Sequence, residues 1–222
     1  FTVAYADVDG KGTAPYNGSV EKNTPSRTLY GQYRSLVLGD EESTFKFGKN
    51  GTEDAANFWI ISVERARYRE KLKPGSLDLR LQLTQDGAPI LLVDGGTVGD
   101  SVVYKDSGRV YNIYKNSNAE GLDVSRETIY GYFLPDIGTI LLDCKTILGD
   151  EENKLLRTTL GADENNLRNS EKFLAYLDSI SLGEQETVTS NYIFVRAKNS
   201  EFNYSINPSN ITTTGELTHS IM

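Results

Sequence analysis

Residues 59 to 83 read WIISVERARYREKLKPGSLDLRLQL, and the two halves of this stretch decide the fold. After Pro74-Gly75, leucine falls at Leu77, Leu79, Leu81 and Leu83, with Ser, Asp, Arg and Gln at the alternate places. Side chains alternate faces along a strand, so this half has one apolar face and one wet face. Before the turn, Phe58 to Val63 is a short apolar run rich in aromatic and β-branched residues, which is also strand-like. Between the halves, Glu64 to Lys71 is too polar for a central strand and too short for a stable isolated helix. An ordered connection with a helical turn is expected there.

Outward from this stretch the chain continues in short strands. Gln85-Asp86-Gly87 is a hairpin signal between Leu83 and Ile90-Leu91-Leu92-Val93, and a glycine-rich turn, Asp94-Gly95-Gly96, follows. Arg109 to Tyr114 alternates polar and apolar residues. Thr128 to Phe133 and Ile137 to Leu142 read as two strands joined through Pro135-Asp136, and Gly131 and Gly138 within them point to a bulge or a close backbone approach. Upstream, Phe45-Lys46-Phe47 is a short strand, while Arg27 to Leu38 fits either a helix or a strand. Residues 1 to 28 are broken by Gly and Pro and are expected to form an extended N-terminal arm or linker, in which Thr2 to Tyr5 fits an edge strand added to a neighbour's sheet, with a floppy terminus as the default.

Short strands with turns at regular intervals are the signature of a mainly β fold, an antiparallel β-sandwich or barrel-like domain, placed here over 29–206. One or two short α-helices are expected within it, at about 151–160 and 170–182. The second rests on the stripe Phe173, Leu174, Leu177 and Ile180, with Gly183 where a C-terminal glycine belongs. Strand structure is expected to resume from Glu186 to Lys198, with Tyr192, Phe194 and Arg196 on one face and Ile193, Val195 and Ala197 on the other. Residues 207 to 222 are polar and open-ended. Both ends read as cut, so the sequence is expected to be a piece of a longer polypeptide.

The formal net charge of −8 argues against a nucleic-acid groove, where a basic footprint is expected. A single cysteine, Cys144, forms no internal disulfide and reads as a small core filler. No stretch approaches the roughly 20 apolar residues of a membrane span, and no membrane insertion is expected. The single histidine, His219, removes nearly every His-dependent triad or metal site, and no phosphate-cradling glycine loop is present. Asp40-Glu41-Glu42 and Asp150-Glu151-Glu152 read as solvated charge runs beside turns, and Asp7-Val8-Asp9-Gly10 is an incomplete fragment of a calcium loop. No catalytic, cofactor-binding or metal-binding residue is assigned, and no enzymatic activity is expected. The remaining candidate site is the basic run Arg65, Arg67, Arg69 and Lys71, expected as a structured corner held by Pro74-Gly75. Its arginines pair within the domain or across a subunit contact, where charge complementarity sets register between partners, with a plain solvated loop as the alternative.

Several stretches together resemble virion structural proteins of contractile-tailed phages, cyanophages in particular. They are RTLYGQYRSLVL (27–38), ISVERARYREKLKPGSLDLRL (61–81), GRVYNIY (108–114), YGYFLPDIGTILLD (130–143) and SNYIFVRAKNSEFNYSINPS (190–209). Lys73 stands where that family often has an acidic residue before Pro-Gly, a surface change. The resemblance runs from about Arg27 onward and implies a tail, baseplate or fibre-attachment component present in many copies. Its partners would be other virion structural proteins and copies of itself, and its location the virion, assembled in the host cytoplasm. Two other functions are carried as alternatives. One is a receptor- or carbohydrate-binding fibre-type module that uses tyrosines on a host-surface glycan, and the other is a hydrolase of envelope polysaccharide, which requires two facing carboxylates.

Overall fold

The computed structural model describes residues 1–10, 24–84, 87–118, 120–149 and 169–196. In chain order the strands are β1 (Thr2–Asp7), β2 (Phe45–Lys49), β3 (Glu53–Ala55), β4 (Asn57–Ser62), β5 (Lys71–Leu72), β6 (Asp78–Leu81), β7 (Ile90–Asp94) and β8 (Val103–Lys105). Then come β9 (Gly108–Asn116), β10 (Val124–Ser125), β11 (Thr128–Ile129), β12 (Gly131–Leu134), β13 (Thr139–Asp143), β14 (Leu177–Ser181) and β15 (Glu184–Gln185). The helices are α1 (Pro25–Leu38), α2 (Cys144–Leu148) and α3 (Asn169–Tyr176). The fold is mainly β, a curled antiparallel sheet of half-barrel form. Its strand order is β1-β4-β13-β12-β9-β7-β6-β14, with β8 and β10 also paired to β9.

The two halves of the 59–83 stretch lie in this one sheet, with four strands between β4 and β6. On β6 and the residue before it the alternation holds: Leu77, Leu79 and Leu81 are buried, and Asp78 and Arg80 are partly exposed. On β4 both faces are covered, so an unbroken apolar run replaces alternation. Trp59 and Ile61 join a core inside the curl with Leu79, Leu92, Ile113, Phe133, Ile140 and Leu142. Phe58 and Ile60 join a second core on the outer face with Tyr30, Phe45, Phe47, Leu134 and Leu141. In the outer core the Tyr30 ring lies 5.2 Å from Phe58 and its hydroxyl donates to the Ala55 carbonyl at 2.8 Å. Inside the curl, the Trp59 indole sits 5.1 Å from the Phe173 ring and donates to the Asn169 carbonyl at 3.1 Å, which ties α3 to β4. Cys144 is fully buried at the start of α2, in the inner core.

Several expectations are corrected. Thr2–Asp7 is no free arm: β1 pairs antiparallel with β4 of its own chain, from Thr2↔Ser62 to Asp7↔Asn57, and the compact unit runs from Phe1 to Glu186. Arg27–Leu38 resolves as helix. Proline in its first turn has φ pre-set for the helix, and Gly39, at φ 78°, ends it by donating to the Ser35 carbonyl. The helix expected at 170–182 stops at Tyr176, and Leu177–Ser181 pairs with β6 instead. Leu177 and Ile180 satisfy the helical stripe and the strand register equally, since a bulge between Leu177 and Ser179 sets Leu177 opposite Leu81 and Ile180 opposite Leu79. The open edge of β6 decides between them. Residues 187–196 belong to a second unit and carry no regular secondary structure, so the strand expected from Glu186 has no partner among the described residues. The helix expected at 151–160 and the segment 207–222 lie outside the described residues.

Candidate functional site: an arginine corner and its groove

The basic run is a folded corner and not an extended face. Arg65–Arg67 forms a 3-10 turn closed by the Arg67 amide donating to the Glu64 carbonyl at 2.8 Å. The cations then part company. The Arg65 guanidinium stacks over the Tyr68 ring at 4.7 Å and donates to the Tyr68 carbonyl at 2.6 Å. Arg67 reaches back to Glu64 at 3.6 Å, while Arg69 crosses to Glu186 at 2.5 Å and donates its amide to the Glu184 carboxylate at 3.1 Å. Lys71 sits in β5, paired with Gln185. The spacing of two that would align these residues on a strand therefore aligns nothing. Each arginine has an acidic or aromatic partner in its own unit.

This arrangement makes unequal predictions for the arginines. Arg65→Ala removes a ring contact and a charge-assisted hydrogen bond together, and is expected to cost about 1 kcal/mol in equilibrium denaturation. Arg67→Ala removes only an exposed ion pair, and exposed pairs contribute little. Its denaturation midpoint should match that of the parent chain.

Beside the corner lies an open groove of about 660 Å³. Val63, Tyr68, Leu72, Ile180 and Leu182 form its apolar lining, with Phe1, Arg67 and Glu184 also bordering it. One short ladder and one further backbone bond hold its walls: β15 pairs with β5, and the Lys73 amide donates to the Gly183 carbonyl at 2.9 Å. Sequence reasoning found the arginines and missed the groove, because its lining comes from three segments far apart in the chain.

Two carboxylates act as latches near by. Asp94, fully buried, accepts from the amides of Gly75, Leu77 and Gly96, joining the Pro74-Gly75 turn to the glycine-rich turn after β7. Asp136, in the turn between β12 and β13, receives Arg109 in a forked grip, with Nη2 at 2.7 Å from Oδ1 and the Arg109 amide at 2.7 Å from Oδ2. Burial raises the Asp136 carboxyl, but the hydrogen bonds and charge of Arg109 outweigh it and hold the group below its ordinary value. A depressed carboxyl contributes stability that is full above the unfolded value of about 3.9 and is lost as pH falls through the folded value. The melting temperature of the parent chain should therefore exceed that of Asp136→Asn at pH 6, and the gap should close below about pH 4.

The other acidic sequences have structural partners. Asp7 accepts from the amides of Asp9 and Gly10, and Asp40 accepts from those of Glu42 and Ser43, so both are turn formers. Among the described residues no group of three or more His, Cys, Asp or Glu is placed to hold a metal ion. Asp150–Glu152 and His219 lie outside the described residues. Of the tyrosines, Tyr5, Tyr30, Tyr68 and Tyr114 are buried, and Tyr104 and Tyr192 are exposed.

The fold and corner together define a mainly β module built on a curled sheet, with an apolar groove beside a charged corner. No family model matches the chain, and no curated protein or solved structure shows significant similarity to it.

Proposed function

We propose that this chain is a structural module of a phage virion, in the tail or baseplate of a contractile-tailed particle, acting by subunit-to-subunit assembly. The observation that carries the assembly reading is the row Tyr192, Ile193, Phe194 and Val195, which is 81–95% exposed. A run of four large apolar side chains left in water is a mark of a surface that another chain covers. The phage assignment is supported by the sequence resemblance over 27–209. The self-contained ion pairs of the arginine corner fit a rigid building block, in which charge is used to hold shape.

Proteomics of purified virions, combined with disruption of the gene, tests this reading. Peptides of this chain should be present in the particle, and particles made without it should stop at an incomplete tail. Complete, infectious particles that lack the chain would refute it.

A further inference from the structure

Each copy of the chain presents two complementary features: an unfilled apolar groove and an uncovered apolar segment. The groove is about 660 Å³ and is lined by Val63, Tyr68, Leu72, Ile180 and Leu182. The segment follows Glu186, which Arg69 holds at the corner. Phe194 is 95% exposed, and Tyr192, Ile193 and Val195 are each above 80%. We infer that the groove receives the Tyr192–Val195 segment of a second copy of this chain, so that copies associate head to tail. This rests on the assembly reading above and names its contact.

Size and backbone agree on that occupant. The volume lies within the roughly 300–1,000 Å³ of sites that enclose a group of several side chains, which suits two aromatic rings. Residues 187–196, TVTSNYIFVR, contain no acid and one cation, Arg196. The groove border carries Glu184 and Arg67, and the neighbouring Glu64 is paired with Arg67 at 3.6 Å. That border is mixed in sign, so a segment with little charge of its own meets it without strong repulsion, and apolar burial drives the contact. Strand β14, which supplies Ile180 to the groove, pairs with β6 on one side and has no strand on its other side among the described residues. An incoming extended segment has main-chain donors and acceptors to meet there, with alternate side chains, Tyr192 and Phe194, turned to the apolar floor. The groove and the segment are different surfaces, so the contact is heterologous. Repetition then closes a ring or extends a filament, which is how one chain fills many positions in a particle.

Cross-linking of mixed variants tests the pairing. The native thiol, Cys144, is fully buried and leaves the reaction to introduced cysteines. Phe194→Cys chains mixed with Leu182→Cys chains under mild oxidation should give about tenfold more disulfide-linked heterodimer than Phe194→Cys mixed with Leu122→Cys, whose site is an exposed loop. In sedimentation velocity, Phe194→Asp should weaken self-association about tenfold or more, while Leu122→Asp leaves it unchanged. Phe194 is almost wholly exposed, so its melting curve should stay that of the parent and loss of fold does not confuse the result. Heterodimer no more abundant than the control overturns the pairing. So does a disulfide that forms only within a single chain carrying both cysteines. If Phe194→Asp chains still associate as the parent does, the pairing fails while the assembly reading stands. A chain that is monomeric at every concentration and absent from purified virions overturns both.

Discussion

Asp94→Ala is expected to lower the stability of the chain by roughly 3–5 kcal/mol, a large fraction of the 5–15 kcal/mol that holds an ordinary domain folded. The carboxylate is fully buried and uses both oxygens: Oδ1 accepts from Gly75 at 2.7 Å and Gly96 at 2.9 Å, and Oδ2 accepts from Leu77 at 3.0 Å. Alanine leaves three backbone N–H groups without their acceptor, and each orphaned donor costs about 1–3 kcal/mol. Water entering the space recovers part of that. Asp94→Asn keeps one acceptor oxygen and turns an amide NH₂ towards a donor, so it should lose about half as much. The denaturant midpoint should fall with the slope of the transition unchanged. A methyl group at Gly96 should behave like the alanine variant, since a Cβ there would lie 2.6 Å from the Gly75 nitrogen and 2.7 Å from Asp94 Oδ1. An Asp94→Ala chain as stable as its parent would show that the two turns hold each other without the carboxylate.

Asp94 also marks the limit of what the sequence makes legible. In Asp94-Gly95-Gly96 the glycines announce a turn, but nothing local says that the preceding carboxylate will gather amides 17 to 19 residues upstream. Where a pattern depends only on the element carrying it, the reading succeeds. The leucines at 77, 79 and 81 point inward because strand geometry sends them there, and β6 and β7 pair antiparallel on either side of the hairpin signal, though with Leu81 and not Leu83 opposite Ile90. Where a pattern is shared by two structures, the surroundings decide. Leu177 and Ile180 suit a helix face and a strand face alike, and the unpaired edge of β6 takes them as a strand. The arginine run shows the same dependence. Its every-second spacing implies a common face only on an extended backbone, and a 3-10 turn disperses the cations to Tyr68, Glu64 and Glu186. The groove was invisible for a simpler reason, being a property of three segments that no single one displays.

Gly131→Ala should be the most damaging glycine-to-alanine change among the described residues, costing upward of about 4 kcal/mol and yielding protein that fails to accumulate in folded form. Gly131 opens β12 in the middle of the sheet, opposite Leu142 on β13 and Ile113 on β9. Its need is for space. A Cβ would overlap the Leu141 carbonyl oxygen and lie 2.9 Å from the Leu141 carbonyl carbon and 3.0 Å from the Leu142 Cα. All three are backbone atoms of a fully buried strand, so no side chain can rotate aside to make room. Relief requires β12 and β13 to separate. Separation there strains the flanking bonds from the Tyr130 amide to the Ile113 carbonyl and from the Asp143 amide to the Tyr130 carbonyl. It also loosens both cores at once, because Leu142 fills the inner one and Leu141 the outer. Gly31→Ala supplies the contrast. Gly31 lies within α1, a Cβ there meets nothing within 4 Å, and helix propensity favours alanine by up to about 1 kcal/mol. The same methyl group should therefore stabilise the chain at one glycine and break it at the other. If the two variants melted within a few degrees of each other, the close approach of β12 to β13 would not be the constraint that keeps residue 131 a glycine.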